Sequence, residues 1–151
     1  MLSRMLMLTR MRSATLSTQS LLLKCRSKED TMEKLFISCP MRARTAEQIH
    51  ATMDQMHKIA EAIFGEELEV IPTYFEGTPP ENANDRLWYL GKSIEKMSEA
   101  DCFIGIFDYQ KAYDGCIIEN HVAKLYGVPQ YLVNIAYVAP DIMEQRLQNM
   151  V

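Results

Sequence analysis

In the stretch "YDGCIIENH" (Tyr113–His121), Glu119 follows Gly115 by four residues and Asp114 by five. A carboxylate in the early turns of a helix is mildly favoured by the helix dipole and has an ordinary reading as a solvent-facing charge. It also has a chemical reading. If Glu119 points over a sheet edge, its carboxylate can attack or stabilise an electron-poor sugar carbon, because glycoside cleavage passes through an oxocarbenium-like transition state. Asp114 then either orients a ligand or simply caps the helix, the more common use of an aspartate there. Gly115 leaves room for backbone or ligand to approach closely.

A second polar stretch, "SCPMRAR" (Ser38–Arg44), holds a different set of groups. Arg42 and Arg44 precede a helix start at Thr45. Backbone N–H groups and the dipole favour an anion at such a place, and arginine adds a planar, permanently charged fork suited to phosphate. Ser38 offers one more hydrogen bond. The ordinary alternative is a solvated loop with two surface arginines.

The elements that must position these residues read as alternating strands and helices. "KLFIS" is a short apolar strand stopped by Cys39-Pro40. "TAEQ" (Thr45–Gln48) is a capping box. Ile49, Met53, Met56, Ala60 and Ile63 then form one helical stripe, and Gly65 is a natural stop. "LEVIPT" (Leu68–Thr73) predicts a second strand. A turn-rich loop with Pro79-Pro80 follows. A second helix is expected over Arg86–Glu99, with Leu87, Leu90, Ile94 and Met97 on one face. "DCFIGIF" (Asp101–Phe107) is nearly all apolar, as a strand buried on both faces should be. The third helix should bury Ile118, Val122 and Leu125 and close at Gly127. "PQYLVNI" predicts a fourth strand, and the tail is weakly helical.

This alternation predicts an α/β fold, a flavodoxin/Rossmann-like three-layer sandwich with a mainly parallel sheet of four or five strands. Crossovers are right-handed. Strand one lies between strands two and three in the flavodoxin-like order, and ligands bind outside the carboxyl ends of strands one and three. The two polar loops should meet there.

Composition narrows the classes of function. The 151 residues suggest one domain, and 48% are hydrophobic, as in soluble globular chains. The chain carries net −4, but residues 1–31 have six basic and two acidic side chains, so residues 32–151 sum to −8. An acidic body argues against a nucleic-acid polymer as partner, since that needs a basic face. No apolar run is long enough for a bilayer span. Cys25, Cys39, Cys102 and Cys116 show neither a CxxC pair nor metal spacing, so reduced thiols in a cytoplasmic protein are expected. His50, His57 and His121 lack the spacing of a metal pair. Trp88, Tyr89, Tyr74 and Phe75 either pack or cover a base.

Residues 1–31 are rich in Met, Leu, Ser, Thr and Arg and lack acids until Glu29. They read as a disordered extension outside the domain of residues 32–151, either an upstream start or a mitochondrial transit peptide. The first is favoured, which implies a cytoplasmic location.

Together, "KLFISCPMRARTAEQI", "YLGKSIEKMSEADCFIGIF" and "YDGCIIENHVAKLYGVP" resemble the nucleoside 2-deoxyribosyltransferase superfamily, and more closely a set of bacterial and phage domains within it. The resemblance spans residues 33–135. It implies that Glu119 is the nucleophile of a glycosyl–enzyme intermediate, which passes a deoxyribosyl group to another base or to water. The related deoxynucleoside 5′-monophosphate N-hydrolases bind phosphate with a loop similar to "PMRAR", where Arg42 is the best counterpart. Asp114 matches an acid that holds the ligand or the departing base, one position closer to the glutamate than in the transferases. Two helpers differ. Ser93 stands where the transferases carry an aspartate, eight residues before Asp101, and Phe36 replaces a tyrosine on strand one. Loss of acid–base assistance removes ~10²–10⁴-fold in rate.

The resemblance therefore implies N-glycosidic cleavage or (deoxy)ribosyl transfer. The alternative is a nucleotide-binding module for sensing or sequestration. The implied ligand is a nucleoside or nucleoside monophosphate, with no metal and no cofactor, and the implied assembly is a homodimer or higher oligomer. A plain flavodoxin-like scaffold would bind flavin, but the chain lacks a typical Ser/Thr-Gly phosphate loop.

Overall fold

The computed structural model describes residues 31–73 and 77–150. The chain divides into Met1–Met32 and Glu33–Val151, and the fold described below is that of the second unit. The expected extension, apart from Thr31, lies outside the described residues, as do Tyr74 and Phe75.

The elements run β1 (Glu33–Ile37), α1 (Ala46–Phe64), β2 (Leu68–Val70), α2 (Asp85–Met97), β3 (Cys102–Phe107), α3 (Asp114–Leu125), β4 (Gln130–Asn134), α4 (Ile135–Val138) and α5 (Pro140–Asn149). The four strands form one sheet in the order β2-β1-β3-β4, and every pairing is parallel. This is an α/β fold of the flavodoxin/Rossmann-like three-layer kind. Among the described residues, no helix is long and apolar enough to cross a membrane.

Strand periodicity assigns the two layers. Leu35 and Ile37 of β1 face one side, where Met56 and Ala60 of α1 and Ile142 of α5 complete a core. Phe36 faces the other side, among Phe103, Met97 of α2 and Ala123 of α3. Phe36 and Phe103 are register partners and stack at 5.6 Å with an interplanar angle of 5°. Phe36 thus fills the core beneath α2 and α3. Ser38, two residues on, shares its face and is 1% exposed.

Local signals set the helix ends. The Thr45 hydroxyl accepts from Gln48 N at 3.1 Å while Gln48 Oε1 accepts from Thr45 N at 3.0 Å, closing the capping box. Gly65 ends α1 in the left-handed region at φ 78°. Asn84 caps α2 through Leu87 N, so that helix starts one residue earlier than the apolar stripe suggests and stops at Met97. Strand β2 is shorter than expected. Ile71 N still bonds Leu35 O at 2.9 Å, but Pro72 has no N–H to continue the ladder.

Helix α3 departs most from expectation. Its buried residues are Cys116, Glu119 and Ala123, whereas Ile118 and Leu125 are exposed. The cause is its close approach to the sheet. A Cβ on Gly105 of β3 would collide with Asn120 Oδ1 and sit 2.8 Å from Phe103 Cε1. Asn120 Nδ2 reaches Ile106 O at 3.0 Å. A helix lying this near accepts small side chains against the sheet, so Cys116 and Ala123 take the inner face. Ile63 on α1 and Leu87 on α2 also lie on outer faces.

Candidate active site around Glu119

The inward turn of α3 brings Glu119 to the carboxyl ends of β1 and β3, the switch point of the sheet. Glu119 is 9% exposed, not solvent-facing. Ser38 Oγ, from the end of β1, donates to Oε1 at 2.6 Å. Ser93 Oγ, from the inner face of α2, donates to Oε2. Three separate elements therefore fix one carboxylate. Burial raises the pKa of Glu119 above the ordinary carboxylate range, and the two serine hydrogen bonds oppose that rise.

Glu119 lines a cavity of about 890 Å³, together with Met41, Arg42, Tyr89, Leu90, Ser93 and Gly115. That volume is in the range of small-ligand pockets. On α2, Arg86, Tyr89, Leu90 and Ser93 recur at helical spacing and form one wall. Further lining comes from the loop after β1 and from the first turns of α3. Tyr113 precedes α3 and gives it no side-chain cap.

The sequence-derived site residues separate into those at the cavity and those behind it. Arg42 and Gly115 line it. A Cβ on Gly115 would meet nothing within 4 Å, so the glycine widens the cavity and is not a packing requirement. Arg42 Nη2 donates to Ala112 O at 2.6 Å, and its guanidinium lies 5.3 Å from the Tyr113 ring centroid. Asp114 also lines the cavity but is no cap. It is the first residue of α3, its side chain is 70% exposed, and it pairs with Arg86 at 3.7 Å.

Ser38 and Arg44 depart from the role first expected for them. Ser38 sits beneath Glu119 with its hydroxyl spent on that carboxylate, so it positions the acid and does not meet a ligand. The Arg44 side chain is 2% exposed. It donates to Asp141 through Nε at 2.9 Å and Nη2 at 2.7 Å, to Pro40 O at 2.7 Å and to Thr52 Oγ1 at 2.7 Å. A guanidinium so committed has no fork left for phosphate. Arg42 is the arginine of that loop that faces the cavity.

Two thiols adjoin the carboxylate. Burial pushes Cys39 and Cys116 up to about 12, so both are neutral, unreactive neighbours. Among the described residues, no group of three or more His, Cys, Asp or Glu side chains could hold a metal.

No family model matches the chain, and no curated protein or solved structure matches it. The site's chemistry therefore rests on its own geometry.

Four residues at or near the site gave little warning in the sequence. Ser93 reads there only as the absence of an acid, yet it supplies a hydrogen bond to Glu119. Arg86 falls at the edge of a helix stripe. Asp108 directly follows β3, and an aspartate leaving a strand is a turn signal. Its carboxylate accepts from Gln110 N at 3.1 Å and Ala112 N at 3.2 Å. Arg146, in the weakly patterned tail, completes it with two bonds of 2.9 Å. That pairing holds the Asp108 carboxyl below its ordinary range.

Proposed function

We propose that this chain breaks the N-glycosidic bond of a nucleoside or nucleoside monophosphate, by hydrolysis or by transfer of the (deoxy)ribosyl group. The observation that carries the proposal is the double serine clamp on a buried Glu119 at the wall of the 890 Å³ cavity. A surface carboxylate has no use for such a clamp. A nucleophile does, because its lone pairs must be aimed and its rotamers already lost.

In this account ionised Glu119 attacks the anomeric carbon. The C–N bond breaks with its electron pair leaving on the base, and an ester forms between sugar and Glu119. Water, or a second base, then attacks the same carbon and gives up a proton to solvent, and the ester C–O bond breaks to return the carboxylate. The departing base takes a proton from solvent or from a group at the rim, where Asp114 is placed. Arg42 meets a 5′-phosphate, and Tyr89 and Leu90 offer an apolar wall to the base. Burial opposes ionisation, and the two serines restore it. Activity is therefore lost as pH falls through the raised pKa of Glu119.

The test is release of free base from a panel of ribo- and deoxyribonucleosides and their 5′-monophosphates, compared with Glu119→Ala. A second reading, a module that binds nucleotide without chemistry, is favoured by the position of Asp114. Its exposed carboxylate is paired with Arg86 and makes no hydrogen bond toward Glu119. Tight binding of a nucleotide that returns unchanged selects that reading.

A further inference from the structure

Two Arg–Asp pairs tie α5 to the two site loops, in opposite directions. Arg44, after β1, reaches Asp141 in the first turn of α5. Arg146 of α5 reaches back to Asp108, after β3, through both terminal nitrogens at 2.9 Å. The Asp108 side chain is 6% exposed and that of Arg146 is 18% exposed. The same carboxylate holds the Gln110 and Ala112 amides. The carbonyl of that Ala112 accepts from Arg42 Nη2 at 2.6 Å. An unbroken relay thus runs Arg146, Asp108, Ala112, Arg42. Its last member lines the cavity, and its first belongs to the C-terminal helix.

We infer that Arg146 is a positioning residue: through Asp108 and the Ala112 peptide it orients Arg42, and so sets the affinity of the site for a phosphate monoester group. The inference rests on the reading of the cavity as a nucleotide site. Arg42 is exposed, and a free arginine loses much side-chain freedom when it grips an anion. A fixed Ala112 carbonyl imposes that loss before the ligand arrives, which is how preorganisation raises affinity. Bidentate Arg–carboxylate geometry is what gives the relay its stiffness, and lysine cannot reproduce it.

The test is a titration of the full chain with inorganic phosphate, followed through the Arg42 Nε–H resonance, which Arg42→Lys assigns. The expected result is that Arg146→Gln weakens phosphate binding at Arg42 by about tenfold, the order of one immobilised side chain, with the amide spectrum preserved outside residues 108–113 and the helix turns around position 146. Arg146→Lys should recover only part of the loss. In an Arg42→Ala background, with phosphate binding read by titration calorimetry, Arg146→Gln should change phosphate affinity no further. Should Arg146→Gln not fold, Asp108→Asn breaks the same relay while keeping an oxygen for the amides, and the same loss is expected. Undiminished phosphate binding in the folded variant, or phosphate that leaves the Arg42 signal unmoved in the wild type, overturns the inference. Failure of the glycosidic reading is distinct. It appears as absence of base release, whatever the phosphate titration shows.

Discussion

Ser93 on α2 donates its hydroxyl proton to Glu119 Oε2 on α3, joining two helices across the pocket wall they share. This contact changes the meaning of a substitution. In the sequence Ser93 reads as a missing acid. In the fold it is a neutral donor that steadies a buried carboxylate, together with Ser38 on the other oxygen.

Ser93→Ala should therefore impair Glu119 without moving it. Removing a hydrogen bond to the ionised form raises the Glu119 pKa further, so the acid limb of the pH–rate profile shifts to higher pH. The value of kcat/KM near neutral pH should fall by roughly 10–100-fold, the weight of one hydrogen bond to a charged group. A pH–rate series checks this, and an acid limb that stays in place contradicts it.

Arg44→Ala separates the two arginines of the "PMRAR" loop. Its guanidinium is locked to Asp141, Pro40 and Thr52, so its loss should appear in folding. The expected penalty is about 3–5 kcal/mol in urea unfolding, as for a broken buried ion pair. Phosphate affinity of the folded fraction should hold. A loss of affinity with stability intact would return Arg44 to the ligand site.

Glu119→Gln should stabilise the fold in a pH-dependent way. The folded pKa of Glu119 is raised by burial, so between the ordinary carboxylate value and that raised value the folded wild type binds more protons than the unfolded chain. The stability contributed by the protonated group is complete below the ordinary range and is lost as pH rises through the folded value. Glutamine has no proton to lose, and its amide can still meet both serine hydroxyls. The variant should match the wild type at low pH and exceed it near neutrality by about 1 kcal/mol, the usual scale for relieving a functional site. Urea unfolding at several pH values checks this, and a variant less stable near neutrality contradicts it.

The capping box at Thr45 and the stop at Gly65 are legible in the sequence because each rests on local periodicity or backbone preference, and the sheet order because alternating strands and helices with right-handed crossovers favour it. So is the convergence of the two polar loops, which follows from the order. The face of α3 is not legible. The apolar residues of "GCIIENHVAKL" outnumber one stripe, and the choice among them is made by Gly105, ten residues before Gly115 and on another element. The division of labour between Arg42 and Arg44 is hidden for a similar reason. It depends on Asp141, 97 residues from Arg44, in a tail whose own pattern is weak.

The most direct measurement is the rate of free-base release, followed chromatographically, from ribo- and deoxyribonucleosides and their 5′-monophosphates, for the wild type and for folded Glu119→Gln. The account predicts that the wild type releases base from at least one of them and that the variant is slower by roughly 10⁴-fold or more, the scale of losing a nucleophile. Equal rates in the two proteins, or no release from any member of the panel, would contradict it.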